Sequence, residues 1–287
     1  VKVEDLRSLV VTDWLLNERA AAKSGVTRWR HPLRVLSGVR VSDITTAVME
    51  DYKAKRLAEG AARSTINSEI GFVRRGFKLA MEQDLLSKMP KIKQLRTSNV
   101  REGFLDPSDF GQLVRTLEVL DPPVADVIRF LYLLGWRRGE VVGLLWSEVD
   151  IAAGTIRLPA RRTKNRTPKT VRISAHLRDI LTRRHSLKNG PWVFHRAGRA
   201  IRDFRGTWRR AVKALGRPGL LVHDLRRSFA RNAVEAGLPV KLIMEIAGWK
   251  TMSVFLRYAI VDERLIARGL DRVSKFTLRE QGRKRKT

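Results

Sequence analysis

Residues 155–173 read TIRLPARRTKNRTPKTVRI, and they break the rhythm of a chain whose apolar residues otherwise recur every three or four positions. Ile156 and Leu158 alternate with Thr155 and Arg157, and Val171 and Ile173 alternate with Thr170 and Arg172. A period of two turns successive side chains to opposite faces of a strand. The stretch therefore predicts a β-hairpin, with Thr155–Pro159 as one strand, the polar segment KNRTPK as the turn and Thr170–Ile173 as the return strand. A third short strand is expected at Pro191–His195, PWVFH. Nothing else reads as β, so the predicted class is mainly α with a small antiparallel β-sheet.

On the N-terminal side of the hairpin, two helices are expected. The first is opened by Asp106 or Ser108 in FLDPSDFGQLVRTL, with an acidic first turn suited to the helix dipole. The second runs from about Val124 to Gly135, with Val127, Ile128, Leu131 and Leu134 on one stripe. On the C-terminal side the helical period returns at about Ile201–Leu215, His223–Ala236, Val240–Ala247, Met252–Ala259 and Glu263–Leu270. Residues 1–88 read as almost wholly helical. Thr65 is a capping candidate before Ile66–Ala80, where Ile66, Ile70, Val73 and Phe77 mark a packed face and Arg74, Arg75 and Lys78 a basic one. Between these regions SKMPKIKQLRTSNVREG (87–103) has the composition of a linker. The expected organisation is a helical domain over 1–88, a basic linker over 89–102, a second domain over 103–275, and a mobile basic tail over 276–287 ending in QGRKRKT.

The charge narrows the function. Among 287 residues, 58 Lys and Arg face 29 Asp and Glu, a formal surplus of +29. A surplus of that size repels itself in a compact fold and points to a polyanionic partner, nucleic acid first of all. Residues 1–100 hold 19 basic and 11 acidic groups, so the remainder, with 39 and 18, carries most of the excess. Hydrophobic residues at 43% are enough for a true core, which sets aside a disordered basic tail. The absence of cysteine excludes disulfides and thiolate metal sites and fits a reducing compartment. No apolar run approaches the ~20 residues that span a bilayer, and the opening VKVEDLRSLVVTDW carries acids where a signal peptide would be basic and then apolar. A soluble intracellular protein is expected.

The rarest letters are three tyrosines and five histidines. Tyr258 lies late in the chain in FLRYAI, and taken singly it is most simply a packed core residue. His223 and Arg226 in HDLRRSF are three apart, which puts both on one face of a helix start and suits an anion, although a surface pair has the same spacing. Arg137 follows a glycine break, with Glu140 placed to fix its guanidinium. An ordinary intrahelical ion pair, worth about 0.2–0.5 kcal/mol, explains those letters equally well. Lys164 in the hairpin turn is by default a solvated lysine.

In chain order, however, these positions run Arg137 with Glu140, Lys164, His223-x-x-Arg226, Gly248-Trp249, and Tyr258 nine residues after the tryptophan. That order resembles the tyrosine recombinases, the phage-integrase family. LLGWRRGEVVGLLWSEVDI is similar to the family's first arginine box, VHDLRRSFA to its second, and AGWKTMSVFLRYA to its histidine-or-tryptophan and nucleophile segment. DITTAVMEDYKAKRLAEGAARSTINSEIGFVRRGFKLAMEQDLL is similar to its core-binding domain. The resemblance implies a helical, SAM-like core-binding domain followed by an α+β catalytic domain, the two clamping double-stranded DNA at a core attachment site.

It further implies that Tyr258 is the nucleophile, that Arg137 and Arg226 hold the non-bridging phosphate oxygens, and that His223 is a base or phosphate donor. Trp249 stands where many relatives have His. Its indole can donate a hydrogen bond but cannot shuttle protons. Lys164 is by resemblance the general acid for the leaving 5′-oxygen. Strand exchange through a 3′-phosphotyrosyl link needs neither ATP nor metal, so no cofactor is expected, and the sequence holds no Walker loop. A synaptic homo-tetramer joined by C-terminal exchange, a possible accessory directionality factor, and a nucleoid-associated, bacterial or phage-encoded cytoplasmic protein are also implied. The basic face Arg74, Arg75 and Lys78 is expected to meet DNA. A DNA-binding protein without turnover, or a type IB topoisomerase or telomere resolvase with the same chemistry, remains an alternative at this stage, and whether an arm-binding domain precedes Val1 is open.

Overall fold

In the computed structural model, which describes residues 1–17, 27–97, 103–163, 166–259 and 263–284, the stripe Ile66, Ile70, Val73 and Phe77 is buried on one side of the helix Arg63–Glu82. It packs against Val3, Leu6, Val10 and Trp14 of the helix Val3–Leu16. The chain divides into two compact units, Val1–Asn99 and Val100–Thr287. The first is built from these two helices with Arg30–Leu36 and Thr46–Ala58. A glycine is needed at position 76, because a Cβ there would fall 2.7 Å from the Cβ of Leu6. Thr65 is not the cap. The helix starts at Arg63 after an extended Ala62, since the fully buried Ile66 is drawn into the first turn.

Tyr52 is held inside this unit, donating to Glu69 at 2.7 Å beside Arg56, whose guanidinium binds the same carboxylate at 2.9 and 3.0 Å. The segment expected as a basic linker is anchored on this unit in its first half. Ile92 is buried, and the Asn67 amide both donates to the Leu95 carbonyl at 2.8 Å and accepts from its N–H at 2.7 Å. Apolar residues at irregular spacing in an extended chain escape a periodicity search.

In the second unit the helix Pro107–Leu120 is capped by Asp106, which accepts from the Asp109 N–H at 2.9 Å. The helix Pro122–Leu134 is almost wholly buried between Pro107–Leu120 and Leu225–Glu235. The hairpin is present as β2 (Thr155–Leu158) and β3 (Lys169–Arg172), extended by a two-residue β1 (Val149–Asp150) in the order β1-β2-β3, all antiparallel. Its register pairs Ile156 with Val171 and Leu158 with Lys169. The return strand thus begins one residue earlier than expected, and Lys169 turns inward with Val171 because the period of two carries one face through both.

Other boundaries move. Of PWVFH only His195 lies in a strand, pairing with the segment Arg199–Ala200, while Val193 and Phe194 are buried in irregular chain held by the Val193 N–H to Leu144 carbonyl bond. The next helix is Arg205–Ala214, four residues short of the expected start. The last helix does not stop at Leu270. It continues from Glu263 to Lys284, so most of the expected tail is helical, and residues 285–287 lie outside the described residues. Ile266, Leu270 and Val273 continue its apolar stripe, and no proline interrupts it.

Candidate active site

Two glycines shape the floor of the site. Gly135 ends the helix Pro122–Leu134 in the left-handed conformation, with φ of 60°, and a Cβ there would lie 2.4 Å from Cδ1 of Phe229. Left-handed strain of about 1–2 kcal/mol and overpacking of about 1–3 kcal/mol therefore oppose any side chain. Gly135→Ala is expected to lower stability by about 3 kcal/mol, read from denaturant unfolding, and an unchanged midpoint would contradict this packing. After the turn, Arg137 stands at the N-cap of the short helix Arg138–Val142. Its own N–H and its Nη1 donate to the two carboxylate oxygens of Glu140, each at 3.1 Å.

Arg226 comes from the helix Leu225–Glu235 and is buried. Its Nη1 donates to the carbonyl of Gly135 and, at 2.9 Å, to that of Ala247. Its Nη2 is buried with no hydrogen-bond partner. Trp249 follows Gly248, the left-handed end of the helix Val240–Ala247. The Arg226 guanidinium stacks 4.3 Å from its ring centre, and the buried indole N–H is likewise unpartnered. Burial and the charge of Arg137 push Arg226 down to about 10.

His223 is in a single 3₁₀ turn, Val222–Asp224, that precedes the helix rather than within it. Tyr258 lies in a turn after the helix Met252–Phe255, which is shorter than expected. The turn brings the Tyr258 hydroxyl to 3.0 Å from Nε2 of His223, with its ring 5.2 Å from Trp249 and beneath the guanidiniums of Arg226 and Arg227. Desolvation, joined by Arg226 and outweighing Asp224, holds the imidazole below its usual value. A neutral imidazole can accept the phenol's proton. The other tyrosines are committed elsewhere. Tyr52 is buried on Glu69, and Tyr132 accepts from Asn232 at 2.8 Å, with burial raising its pKa.

Arg137, Glu140, His223, Arg226, Trp249 and Tyr258 are thus gathered in one unit, whereas Lys164 lies outside the described residues. Sequence reasoning missed two cations. Arg227 packs over Tyr258, and its neighbour's place in the H-x-x-R motif was the available signal. Lys169 is buried beside Glu140, 2.9 Å from it, in a position that only the strand register reveals. A cavity of about 510 Å³ opens here, lined by Arg137, Lys169, Lys241, Trp249 and Lys250, and a second of about 560 Å³ is lined by Arg138, Arg202, Arg205, His223 and Arg226. Two unpartnered buried donors beside a phenol–imidazole pair, in a basic setting, suit an anionic ester. Among the described residues no group of three or more His, Asp or Glu side chains could hold a metal ion. Of the basic face in the first unit, Lys78 is exposed while Arg75 is already paired, at 3.2 Å with Asp13 and 3.5 Å with Glu82.

The model of the phage integrase family matches residues 103–264. The integrase of Salmonella phage P22 is 25% identical over 69% of this chain, and the shufflon-specific DNA recombinase of Escherichia coli 26% identical over 80%. The chain spans 54% and 60% of the matched proteins' lengths. Among solved structures, the Tn1549 transposon integrase in complex with circular intermediate DNA superposes with a TM-score of 0.73 at 16% identity, covering 92% of this chain and 98% of the other. A lambda integrase tetramer bound to a Holliday junction gives 0.71 at 16% identity, covering 91% and 78%. At these identities the structures speak for the fold.

Proposed function

The chain belongs to the phage integrase family, and from that premise we propose that it is a site-specific DNA recombinase that integrates or excises a mobile element through a 3′-phosphotyrosyl intermediate. The observation that carries the reading is the Tyr258 hydroxyl 3.0 Å from His223, beside the unpartnered donors of Arg226 and Trp249. Tyr258 Oη attacks the scissile phosphorus as His223 takes its proton. Arg137 and Arg226 hold the non-bridging oxygens as negative charge builds, which a preorganised pair, Arg226 buried and Arg137 half-buried, does at little reorganisation cost. The bond to the 5′-oxygen breaks, and Lys164 supplies the proton that leaves a free 5′-hydroxyl. A 5′-hydroxyl of the partner strand then attacks the phosphotyrosine, so each step exchanges one phosphoester for another and returns the phenol.

In this reading residues 1–88 form the core-binding domain, with Arg74, Arg75 and Lys78 toward the backbone, and residues 103–275 the catalytic domain. Double-stranded DNA is the substrate, held mainly by salt-sensitive phosphate contacts. A synaptic tetramer is proposed, supported by Ile266, Leu270 and Val273, which lie exposed along one stripe of the helix Glu263–Lys284 and would dock on a second copy. A directionality factor would bias integration against excision on that assembly. Action on chromosomal DNA implies a nucleoid-associated location, and among the described residues no helix is long and apolar enough to cross a membrane.

The acid role is tested by chemistry. Lys164→Ala is expected to slow cleavage of a normal substrate by about 10²-fold and to recover on a 5′-thio leaving group, which departs without a proton. A defect that persists on the thio substrate would remove the role from Lys164.

A further inference from the structure

Lys169 is an ammonium enclosed in the site that none of the six family positions accounts for. Its side chain is 7% exposed, so it cannot swing out to a leaving oxygen. Nζ donates to Oε2 of Glu140 at 2.9 Å and to the carbonyl of Ala247 at 3.4 Å, and it sits 4.5 Å from the ring centre of Trp136. Trp136 is itself fixed by its indole N–H on the Ile246 carbonyl at 2.8 Å. Overhead is Gly248, where a Cβ would fall 2.8 Å from Cε of Lys169. The position is built around this one side chain.

Each of its two acceptors has a second partner. Glu140 orients Arg137 through both carboxylate oxygens, and the Ala247 carbonyl accepts from Nη1 of Arg226. We propose that Lys169 is a positioning residue that ties the carboxylate orienting Arg137 to the carbonyl orienting Arg226, and so fixes the two guanidiniums for one phosphate. A buried ion pair is poor value as stability alone, since apolar residues of similar volume serve as well. Its charge has a use here through Glu140: the two guanidiniums repel each other, and the ammonium fixes the carboxylate whose negative charge holds Arg137 in place before the phosphate arrives. The inference rests on the recombinase reading.

Protonation of Lys169 makes the role measurable. Desolvation, with Arg226 and Arg137 adding to it and Glu140 opposing, pulls Lys169 down to about 8. Lys241, Glu245 and Lys250 line the adjoining cavity. The ammonium that holds Glu140 is present below about pH 8 and lost above it, whereas an arginine in its place stays charged throughout.

The test is single-turnover cleavage of a nicked suicide duplex by the full chain and its variants, with DNA affinity and melting temperature recorded for each. Lys169→Met is expected to cleave about 10- to 100-fold more slowly with affinity within about twofold of the parent. Lys169→Arg is expected to retain most of the rate. The double variant Glu140→Gln with Lys169→Met should be slowed by less than the product of the two single defects, because the two share the Lys169–Glu140 contact. The ratio of parent to Lys169→Arg rates, in which the Tyr258 contribution cancels, should be flat up to about pH 8 and fall above it. A parental rate in folded Lys169→Met, or fully multiplying defects in the double variant, would each overturn the proposal. Should Lys169→Met not fold, Glu140→Gln decides, and a parental rate in that variant would overturn the proposal. If the parent traps no adduct at all, the recombinase reading fails instead.

Discussion

Tyr258→Phe is expected to abolish covalent capture of a nicked duplex carrying the core site, while its affinity for that duplex stays within about twofold of the parent. The core site can be recovered by selecting bound sequences from a random duplex pool. Removing the hydroxyl deletes the proposed attacking atom but leaves the ring between Trp249 and the guanidiniums of Arg226 and Arg227. What is given up is the hydrogen bond to His223 and the attraction of the hydroxyl to the Arg226 guanidinium. Loss of a hydrogen bond costs about 1 kcal/mol, too little to unfold the domain. A nucleophile has no substitute in the described site, because Tyr52 and Tyr132 are both buried and hydrogen-bonded elsewhere. Residual capture at the parental rate would remove the role from Tyr258.

Arg226→Ala should lower the rate of cleavage by about 10²–10³-fold, the range seen when one preorganised donor is removed from a developing oxyanion. It should also be destabilising, since the carbonyls of Gly135 and Ala247 each lose a charged donor. Arg226→Lys separates the two effects. It keeps a charge but loses the planar fork and the stack on Trp249, so it is expected to recover stability more fully than rate. Binding should fall little in both variants, because one phosphate contact among many changes the salt slope by only about one. Cleavage by folded Arg226→Ala within tenfold of the parent would mean that this guanidinium does not meet the reacting phosphate.

The sequence was most legible where one physical rule acted alone. Alternation at Thr155–Leu158 gave the first strand of the hairpin, and the stripe from Ile66 to Phe77 gave a buried helix face. It was least legible where long-range pairing decides. Lys169 belongs by its letters to the turn KNRTPK, and only its pairing with Leu158 turns it inward. PWVFH has the apolar letters of a strand, but Val193 lies in irregular chain, its N–H on the Leu144 carbonyl and its own carbonyl accepting from Nε of Arg184. The helix Glu263–Lys284 extends past Leu270 through residues whose charge resembled a loose tail, although most of them are good helix formers. Of the site, Tyr258 and Trp249 could be singled out only through their place in the order of motifs, since each alone looks like core. The structure brings them against His223 and Arg226, while Lys164 falls outside the described residues.

The +29 surplus attracts a backbone, but it would do so for many proteins that never cut one. In the proposed reading, what separates this chain from those is a covalent bond to DNA. The most direct measurement is therefore to trap the adduct on a suicide duplex, digest both components, and identify the modified peptide and the DNA end by mass spectrometry. The account predicts a 3′-phosphate esterified to Tyr258 and a free 5′-hydroxyl on the released strand. A link to any other residue, a 5′-phosphate attachment, or DNA bound tightly and never captured would contradict it.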